Sequence, residues 1–182
     1  MAAFCLSLVS IGAFAQDNSK TTIPYRSFIA EVGGPGVLFS VNYDTRFKKE
    51  TFGLGGRIGV GFTTGFKGTD YRYDPIDNYW YSNGRGRTVS SLTIPVQLNY
   101  LFGKAGSKSA LEVGAGATYV GKYSDFFNDE RDPRKSRIIG TTSFMYRRIP
   151  TNGGFSWRVG FTPIISNSLI QFSGAASVGF NF

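Results

Sequence analysis

The chain has 182 residues, of which 24 are glycine and 16% are aromatic, and its formal net charge is +8 at pH 7. This length allows one domain, and ordinary globular chains hold only about 7% glycine. Histidine is absent, which removes the most common general base of hydrolases and acyltransferases and the usual imidazole ligand of metals. The basic residues are scattered rather than gathered on a helix or among base-stacking aromatics, which argues against a nucleic-acid partner. We therefore predict a non-enzymatic protein with no catalytic residue, no metal site and no cofactor.

The first 15 residues form an uncharged, mostly apolar segment that ends in Ala-Phe-Ala. This ending predicts a secretory signal peptide over residues 1–15, because the segment is too short to span a membrane as a helix. The basic residues that normally open a signal peptide are missing, so we expect the signal to be truncated at Met1. Cleavage removes Cys5, the single cysteine, and leaves a polar periplasmic lead at residues 16–26.

The remainder of the chain alternates bulky apolar residues with small or polar ones in eight segments. Alternation with a period of two predicts β-strands that each have one apolar face. The predicted strands are residues 27–33, 37–47, 52–66, 88–102, 109–123, 138–149, 155–165 and 169–182. No amphipathic helix remains to cover the apolar faces. We therefore predict an all-β protein, an eight-stranded antiparallel up-and-down transmembrane β-barrel over residues 27–182.

Three local features refine this prediction. The first strand ends in Gly-Gly-Pro-Gly at residues 33–36, which predicts a tight turn, and Val37 then opens the outward face of the second strand. The inner face of the third strand is nearly all glycine, so we expect something bulky to pack against it. Pro95 lacks the N–H that a paired strand donates, and it therefore predicts a bulge in the fourth strand.

Long and short connections alternate along the chain. The two longest, residues 67–87 and 124–137, follow the third and fifth strands, whereas the connections after the second, fourth and sixth strands are short. Bacterial outer-membrane barrels have short periplasmic turns and longer external loops. The alternation therefore predicts that both termini face the periplasm.

The last strand ends in Gly-Phe-Asn-Phe, with Phe180 and Phe182 on its apolar face. With the signal peptide and the alternation over residues 27–182, this ending resembles the small eight-stranded, porin-like or OmpA-like outer-membrane β-barrel proteins of Gram-negative bacteria. Residues 31–43 resemble the opening hairpin of many members, whereas Ser177 stands where glycine is usual. The resemblance implies a bacterial outer-membrane location, contact with outer-membrane lipids, and a signal at Phe180 and Phe182 for the barrel-assembly machinery. It implies no activity.

Four charged residues lie on inner faces at similar heights: Glu31, Arg57, Glu112 and Arg158. An eight-stranded barrel is just wide enough for side chains to fill it, so we predict that they pair in one layer as a structural plug. A path for ions is the alternative. The other strands add five candidates for the same layer, Asn42, Asp44, Gln97, Asn99 and Arg147.

Five aromatic residues lie in the long connection after the third strand: Tyr71, Tyr73, Tyr79, Trp80 and Tyr81. Two hypotheses account for them. The flanking strands continue outward as a hairpin, or the aromatic side chains form a contact surface for an extracellular partner or a glycan.

The pattern leaves three functions open. We predict a non-enzymatic outer-membrane barrel that supports the envelope or presents its external loops for adhesion and partner binding. The first alternative is a narrow, porin-like channel for ions or small solutes. The second is a secreted, lipocalin-like barrel that binds a small ligand, and it requires the apolar residues to face inward.

Overall fold

The computed structural model describes residues 24–67, 71–76, 79–82, 87–121, 137–166 and 169–182. The predicted signal peptide and most of the predicted lead lie outside these residues. The strands, in chain order, are β1 Arg26–Gly33, β2 Phe39–Arg46, β3 Gly53–Lys67, β4 Tyr71–Asp74, β5 Tyr79–Ser82, β6 Arg87–Phe102, β7 Ser109–Val120, β8 Ile138–Arg148, β9 Gly154–Ser166 and β10 Leu169–Asn181. A short 3₁₀ turn, Gly34–Gly36, lies between β1 and β2.

Eight of the strands close into a barrel in the order β1-β10-β9-β8-β7-β6-β3-β2, and every neighbouring pair is antiparallel. Each barrel strand therefore pairs with the barrel strands before and after it in the chain, with β4 and β5 set apart between β3 and β6, and β1 pairs with β10 to complete the ring. Over the residues at which all eight strands are paired, the closed sheet has no free edge. The predicted eight-stranded antiparallel up-and-down barrel is confirmed. Within the part of the chain that the structure describes, no helix is both long and apolar enough to cross a bilayer.

The two ends of the barrel differ. We call the end where β1 begins and β10 ends the terminal end; there the backbones of Arg26 and Phe182 exchange hydrogen bonds of 2.9 and 3.1 Å. The turns at residues 47–52, 103–108 and 149–153 lie at this end. The opposite, distal end has the 3₁₀ turn and the connections that follow β3, β7 and β9.

Apolar side chains cover the outside of the barrel and polar ones fill its inside. On β1, Phe28 and Val32 are 55% and 61% exposed, whereas Glu31 is 1% exposed. The same alternation recurs on β7, where Leu111 is exposed and Glu112 is buried. These faces match the prediction for a membrane barrel and are the reverse of those that a lipocalin-like barrel requires.

Glycines on the inner wall make room for large side chains from adjacent strands. A methyl group added at Gly59 would overlap the Asn42 side chain, and one at Gly55 would overlap the guanidinium of Arg46. At Gly160, an added Cβ would lie 2.8 Å from the sulfur of Met145. The expectation that bulky groups pack against the glycine-rich inner face of β3 is confirmed.

Pro95 interrupts a ladder without shifting it. The β3–β6 pairing stops after Ile58 and Val96 and resumes at Gly61 and Thr93 in the same register. No extra residue is inserted, so the predicted bulge is wrong. Proline has no N–H to donate, and the barrel accommodates it by leaving a local gap in the ladder.

Two strands extend well beyond their neighbours at the distal end. The β3–β6 ladder continues to Lys67 and Arg87, five residues past the last β2–β3 pair, which ends at Phe62. At about 3.3 Å per residue this is a two-stranded arm of roughly 17 Å. The short hairpin of β4 and β5, which has four residue pairs, lies between the two strands of this arm in the chain.

The inner glycines give a direct test of this packing. We expect Gly59→Ala to destabilise the barrel by about 1–3 kcal/mol, because the added Cβ overlaps Asn42 and would lie 2.7 Å from the Val41 carbonyl oxygen. The measurement is urea unfolding in detergent. Gly56→Ala on the outer face of the same strand is the control, since its Cβ meets only the Phe47 ring at 3.3 Å. Equal effects of the two substitutions would contradict this account.

Candidate functional site

The centre of the interior is the Glu112 carboxylate on β7. Its Oε1 accepts hydrogen bonds from Arg57 and Arg158, each at 2.6 Å, and its Oε2 accepts one from Arg147 at 3.3 Å. The side chain of Glu112 is fully buried. One carboxylate therefore joins arginines from β3, β8 and β9 across the lumen.

Asp44 on β2 is a second centre in the same layer. Its Oδ2 accepts a 2.6 Å hydrogen bond from Arg147, and its Oδ1 accepts one from Arg46 and another, at 3.0 Å, from Asn99. Arg57 also lies 3.7 Å from Asp44. Arg147 thus bridges the two carboxylates, and its other terminal nitrogen donates to Ser27 and Asn181 at 2.9 and 3.1 Å.

Arg158 connects this layer to β1 and β10. It donates to Glu31 through one terminal nitrogen and to the Ser177 hydroxyl, at 2.6 Å, through Nε. Arg57 reaches β6 by donating to Gln97 at 3.1 Å. Each of the eight barrel strands therefore contributes at least one side chain to what we call the interior network.

All four residues of the predicted layer, Glu31, Arg57, Glu112 and Arg158, lie in this one network. Three of the five further candidates, Asp44, Asn99 and Arg147, occupy central positions, Gln97 binds Arg57, and Asn42 donates to Ser40 instead. The prediction did not include Arg46 in the layer, although its position on the inner face was the available signal. Four guanidinium groups meet three carboxylates, which leaves an excess of one positive charge when all are ionised.

The 3₁₀ turn folds into the distal half of the lumen. Gly34, Pro35 and Gly36 are all buried. The hydroxyl of Thr118 donates to the Pro35 carbonyl at 2.7 Å, and that of Thr93 donates to the Gly36 carbonyl at 3.0 Å. The Gly-Gly-Pro-Gly sequence is therefore an internal plug rather than only a tight turn between strands.

The side chain of Val37, directly after the plug, also points into the barrel. It packs against buried Val120, Ile139 and Ile164, so its predicted place on the outward face of the second strand is wrong. Its backbone φ is +76°, a conformation that β-branched residues rarely adopt. The reason is the turn, in which the Val37 N–H donates to the Gly34 carbonyl at 3.0 Å.

A small apolar cluster narrows the terminal end. Leu101, Ala110 and Ile149 are buried together there, and Phe52 packs against them. A narrow pocket beside this cluster reaches Asp44 and Arg147 and has room for about one water molecule. From the terminal to the distal end, the described interior thus consists of an apolar cluster, the interior network and the plug.

Six buried polar atoms of the described interior have no protein partner. They are Glu31 Oε1, Arg57 Nε, Gln97 Nε2 and the hydroxyl oxygens of Thr141, Ser143 and Thr162. Buried groups of this kind generally bind ordered water, since leaving them unpaired costs about 1–3 kcal/mol each. The described interior therefore keeps unused donors and acceptors beside its ion pairs.

The two aromatic residues of the predicted assembly signal lie on the surface of the barrel. Phe180 and Phe182 face outward at 60% and 42% exposure, and the Phe182 ring lies 5.6 Å from that of Phe28. The backbone of the predicted hairpin is formed by β4 and β5. The side chains of Tyr71, Tyr73, Tyr79, Trp80 and Tyr81 lie outside the described part of the structure.

Two solved structures align with most of the chain. The crystal structure of the N-terminal β-barrel domain of Pseudomonas aeruginosa OprF aligns with a TM-score of 0.51 at 12% identity, over 86% of this chain and 95% of that one. The backbone structure of the Yersinia pestis outer membrane protein Ail in a phospholipid bilayer nanodisc aligns with a TM-score of 0.48 at 14% identity, over 87% and 99%. No protein-family model matches the chain, and no curated protein matches it. The similarity to OprF shows a shared barrel fold.

The interior network predicts a large cost for losing its central carboxylate. We expect Glu112→Ala to destabilise the barrel by about 3–5 kcal/mol, because it leaves three buried arginines with fewer partners. The measurement is urea unfolding in detergent, followed by tryptophan fluorescence. Glu50→Ala, which removes the same charge from an exposed turn, should change stability by no more than about 0.5 kcal/mol. An unchanged unfolding midpoint for the Glu112 variant would contradict the structural role of the network.

Proposed function

We propose that this chain is an integral, non-enzymatic barrel of a Gram-negative outer membrane, with a sealed interior and with its working surfaces at the two ends. The observation that supports this proposal best is the distribution of polarity. Charged side chains are buried inside a closed barrel while large apolar side chains cover the outside. In water this arrangement exposes a broad apolar surface, whereas in a bilayer lipid covers it.

The height of the wall fits a membrane. The twelve residues of β7, at about 3.3 Å each and tilted by about 40°, cover roughly 30 Å along the barrel axis. Its exposed positions include Leu111, Val113 and Tyr119. The apolar band of outer-membrane barrels is about 25 Å tall, so a strand of this length is sufficient to cross it.

The asymmetry of the ends supports an orientation. Short turns gather at the terminal end, and the β3–β6 arm and its hairpin lie at the distal end. We therefore place the termini in the periplasm and the distal end outside the cell. The distal arm, with the five aromatic residues of its hairpin, is the part best placed for adhesion or for binding an extracellular partner or glycan.

The filled lumen favours a structural role over conduction. An ion that crosses the barrel meets the apolar cluster at Leu101, the interior network and the Gly34–Gly36 plug in turn. Breaking a buried ion pair costs several kcal/mol. Conduction through the barrel, as the alternative channel function requires, would therefore need at least two of these layers to rearrange.

Membrane insertion is tested by fractionation and heat-modifiable mobility. We expect the protein in the outer-membrane fraction, and we expect unboiled protein to migrate differently from boiled protein on a denaturing gel, because a closed barrel resists the detergent until heated. Gly59→Ala should show the shift at a lower heating temperature than Gly56→Ala. A soluble protein with no shift would overturn the proposal.

Conductance separates the structural role from the channel. Purified protein in planar bilayers should give no single-channel steps, because plug and network fill the lumen. A matched variant removes the plug by replacing residues 34–37 with an Asn-Gly pair. The residues on either side can accept this two-residue turn, because the Gly33 N–H already donates a 2.9 Å hydrogen bond to the Leu38 carbonyl. This variant should stay silent if the network alone seals the barrel. Steps in the unmodified protein that change with Arg57→Ala would favour the channel instead.

A further inference from the structure

The positive surplus of the chain is concentrated at the terminal end. Six basic side chains are exposed on its turns and strand ends: Arg26, Lys48, Lys49, Lys104, Lys108 and Arg148. Glu50 is the one exposed acidic residue among the described residues of this end. We call this set the basic collar. Its excess of five positive charges accounts for most of the net charge of +8.

The basic collar contains a groove on the surface of the barrel. It holds about 350 Å³ and is lined by the 149–153 turn together with Lys108, Arg148, Phe155 and Trp157. Its lining thus combines two cationic side chains with two aromatic rings. No carboxylate lines it.

The register fixes the cations beside the aromatic wall. Arg148 is the direct cross-strand neighbour of Trp157 on β9 and of Ser109 on β7, which follows Lys108 in the chain. The Lys108 carbonyl accepts a 2.8 Å hydrogen bond from the Ile149 N–H, which ties the two turns together. The Trp157 ring lies 5.8 Å from that of Tyr146. Lys108 and Arg148 therefore project from a rigid, aromatic part of the wall.

We propose that this groove binds the headgroup phosphate of an anionic phospholipid of the phosphatidylglycerol class, with an acyl chain against Trp157, which lies level with Arg148 on the wall. The proposal rests on the proposed membrane location. Neither Lys108 nor Arg148 forms an ion pair among the described residues, so both are available to a ligand. Arginine and lysine side chains both bind phosphate oxygens well. Arginine can donate two parallel hydrogen bonds to one phosphate.

The geometry favours a lipid over a soluble anion. Arg148 and Trp157 both face outward near the terminal end of the wall, and the proposed membrane placement brings this level close to the lipid phosphates. Tryptophan is enriched at this depth because one side of its ring is apolar and its N–H needs a polar partner. A free phosphate would use the two cations alone, whereas a phospholipid also covers the exposed ring of Trp157.

The chain offers a local probe of this site. It contains two tryptophans, and Trp80→Phe leaves Trp157 as the single one, inside the proposed groove. We would reconstitute this variant in phosphatidylcholine vesicles that contain phosphatidylglycerol, with brominated acyl chains on one lipid or the other. Bromine quenches the indole on contact, so the two series give the relative binding constant of the two lipids at the groove.

We expect phosphatidylglycerol to bind the groove about fivefold more tightly than phosphatidylcholine, since each cation near an anionic headgroup favours it. In the same background, Lys108→Gln with Arg148→Gln should reduce this ratio to about one. Lys48→Gln with Lys49→Gln, which removes the same charge from another part of the collar, should leave the ratio unchanged. Millimolar glycerol phosphate should not compete.

Each other outcome overturns a distinct statement. An unchanged ratio in the groove variant refutes the site, and an equal loss in both double variants shows diffuse attraction to the collar only. Competition by glycerol phosphate shows a site for a soluble anion. If neither brominated lipid quenches Trp157, the wall is outside the bilayer, and the proposed membrane function fails rather than the site alone.

Discussion

The structure depends on one constraint, the pairing of buried charges inside a closed ring of strands. Glu112 binds three arginines, and Arg147 joins it to Asp44. Charges in a low-dielectric interior are costly unless almost every donor and acceptor is used. Because the partners come from all eight strands, the network couples the whole circumference. A change in shear or diameter would separate several ion pairs at once, so the network also specifies one closed arrangement of the barrel.

The narrow lumen of the barrel also explains the plug and the glycines on the inner wall. The large polar side chains fit only because glycine stands opposite them on adjacent strands, as Gly59 does for Asn42. The Gly34–Gly36 turn then fills the lumen on the distal side, where Thr93 and Thr118 satisfy its carbonyls. Val37 accepts an unfavourable backbone conformation, and its packing against Ile139 and Ile164 offsets part of that cost. The interior is therefore a polar core that replaces the apolar core of a soluble domain.

With the interior filled, the surfaces are what remains for function. The outer wall is apolar, the terminal end is strongly basic, and the distal end extends as a two-stranded arm. In the proposed orientation these three surfaces meet hydrocarbon, anionic headgroups and the aqueous space outside, respectively. This distribution of surfaces is the physical argument for the proposed membrane location.

The sequence by itself determined the eight barrel strands and, except at Val37, the faces of their side chains, because alternation with a period of two is a local property. It also identified Glu31, Arg57, Glu112 and Arg158 as inner charges, since each follows the phase of its own strand. It could not determine which charges meet, because the register between strands sets that. The contacts of Arg46 with Asp44 and Asn99 are an example, although its inner-face position alone was visible in the alternation. The path of the Gly-Gly-Pro-Gly turn and of Val37 was likewise decided only by tertiary structure. A tight turn outside the barrel and a plug within it have the same local pattern. The difference lies in hydroxyl donors and space supplied by strands distant in the chain.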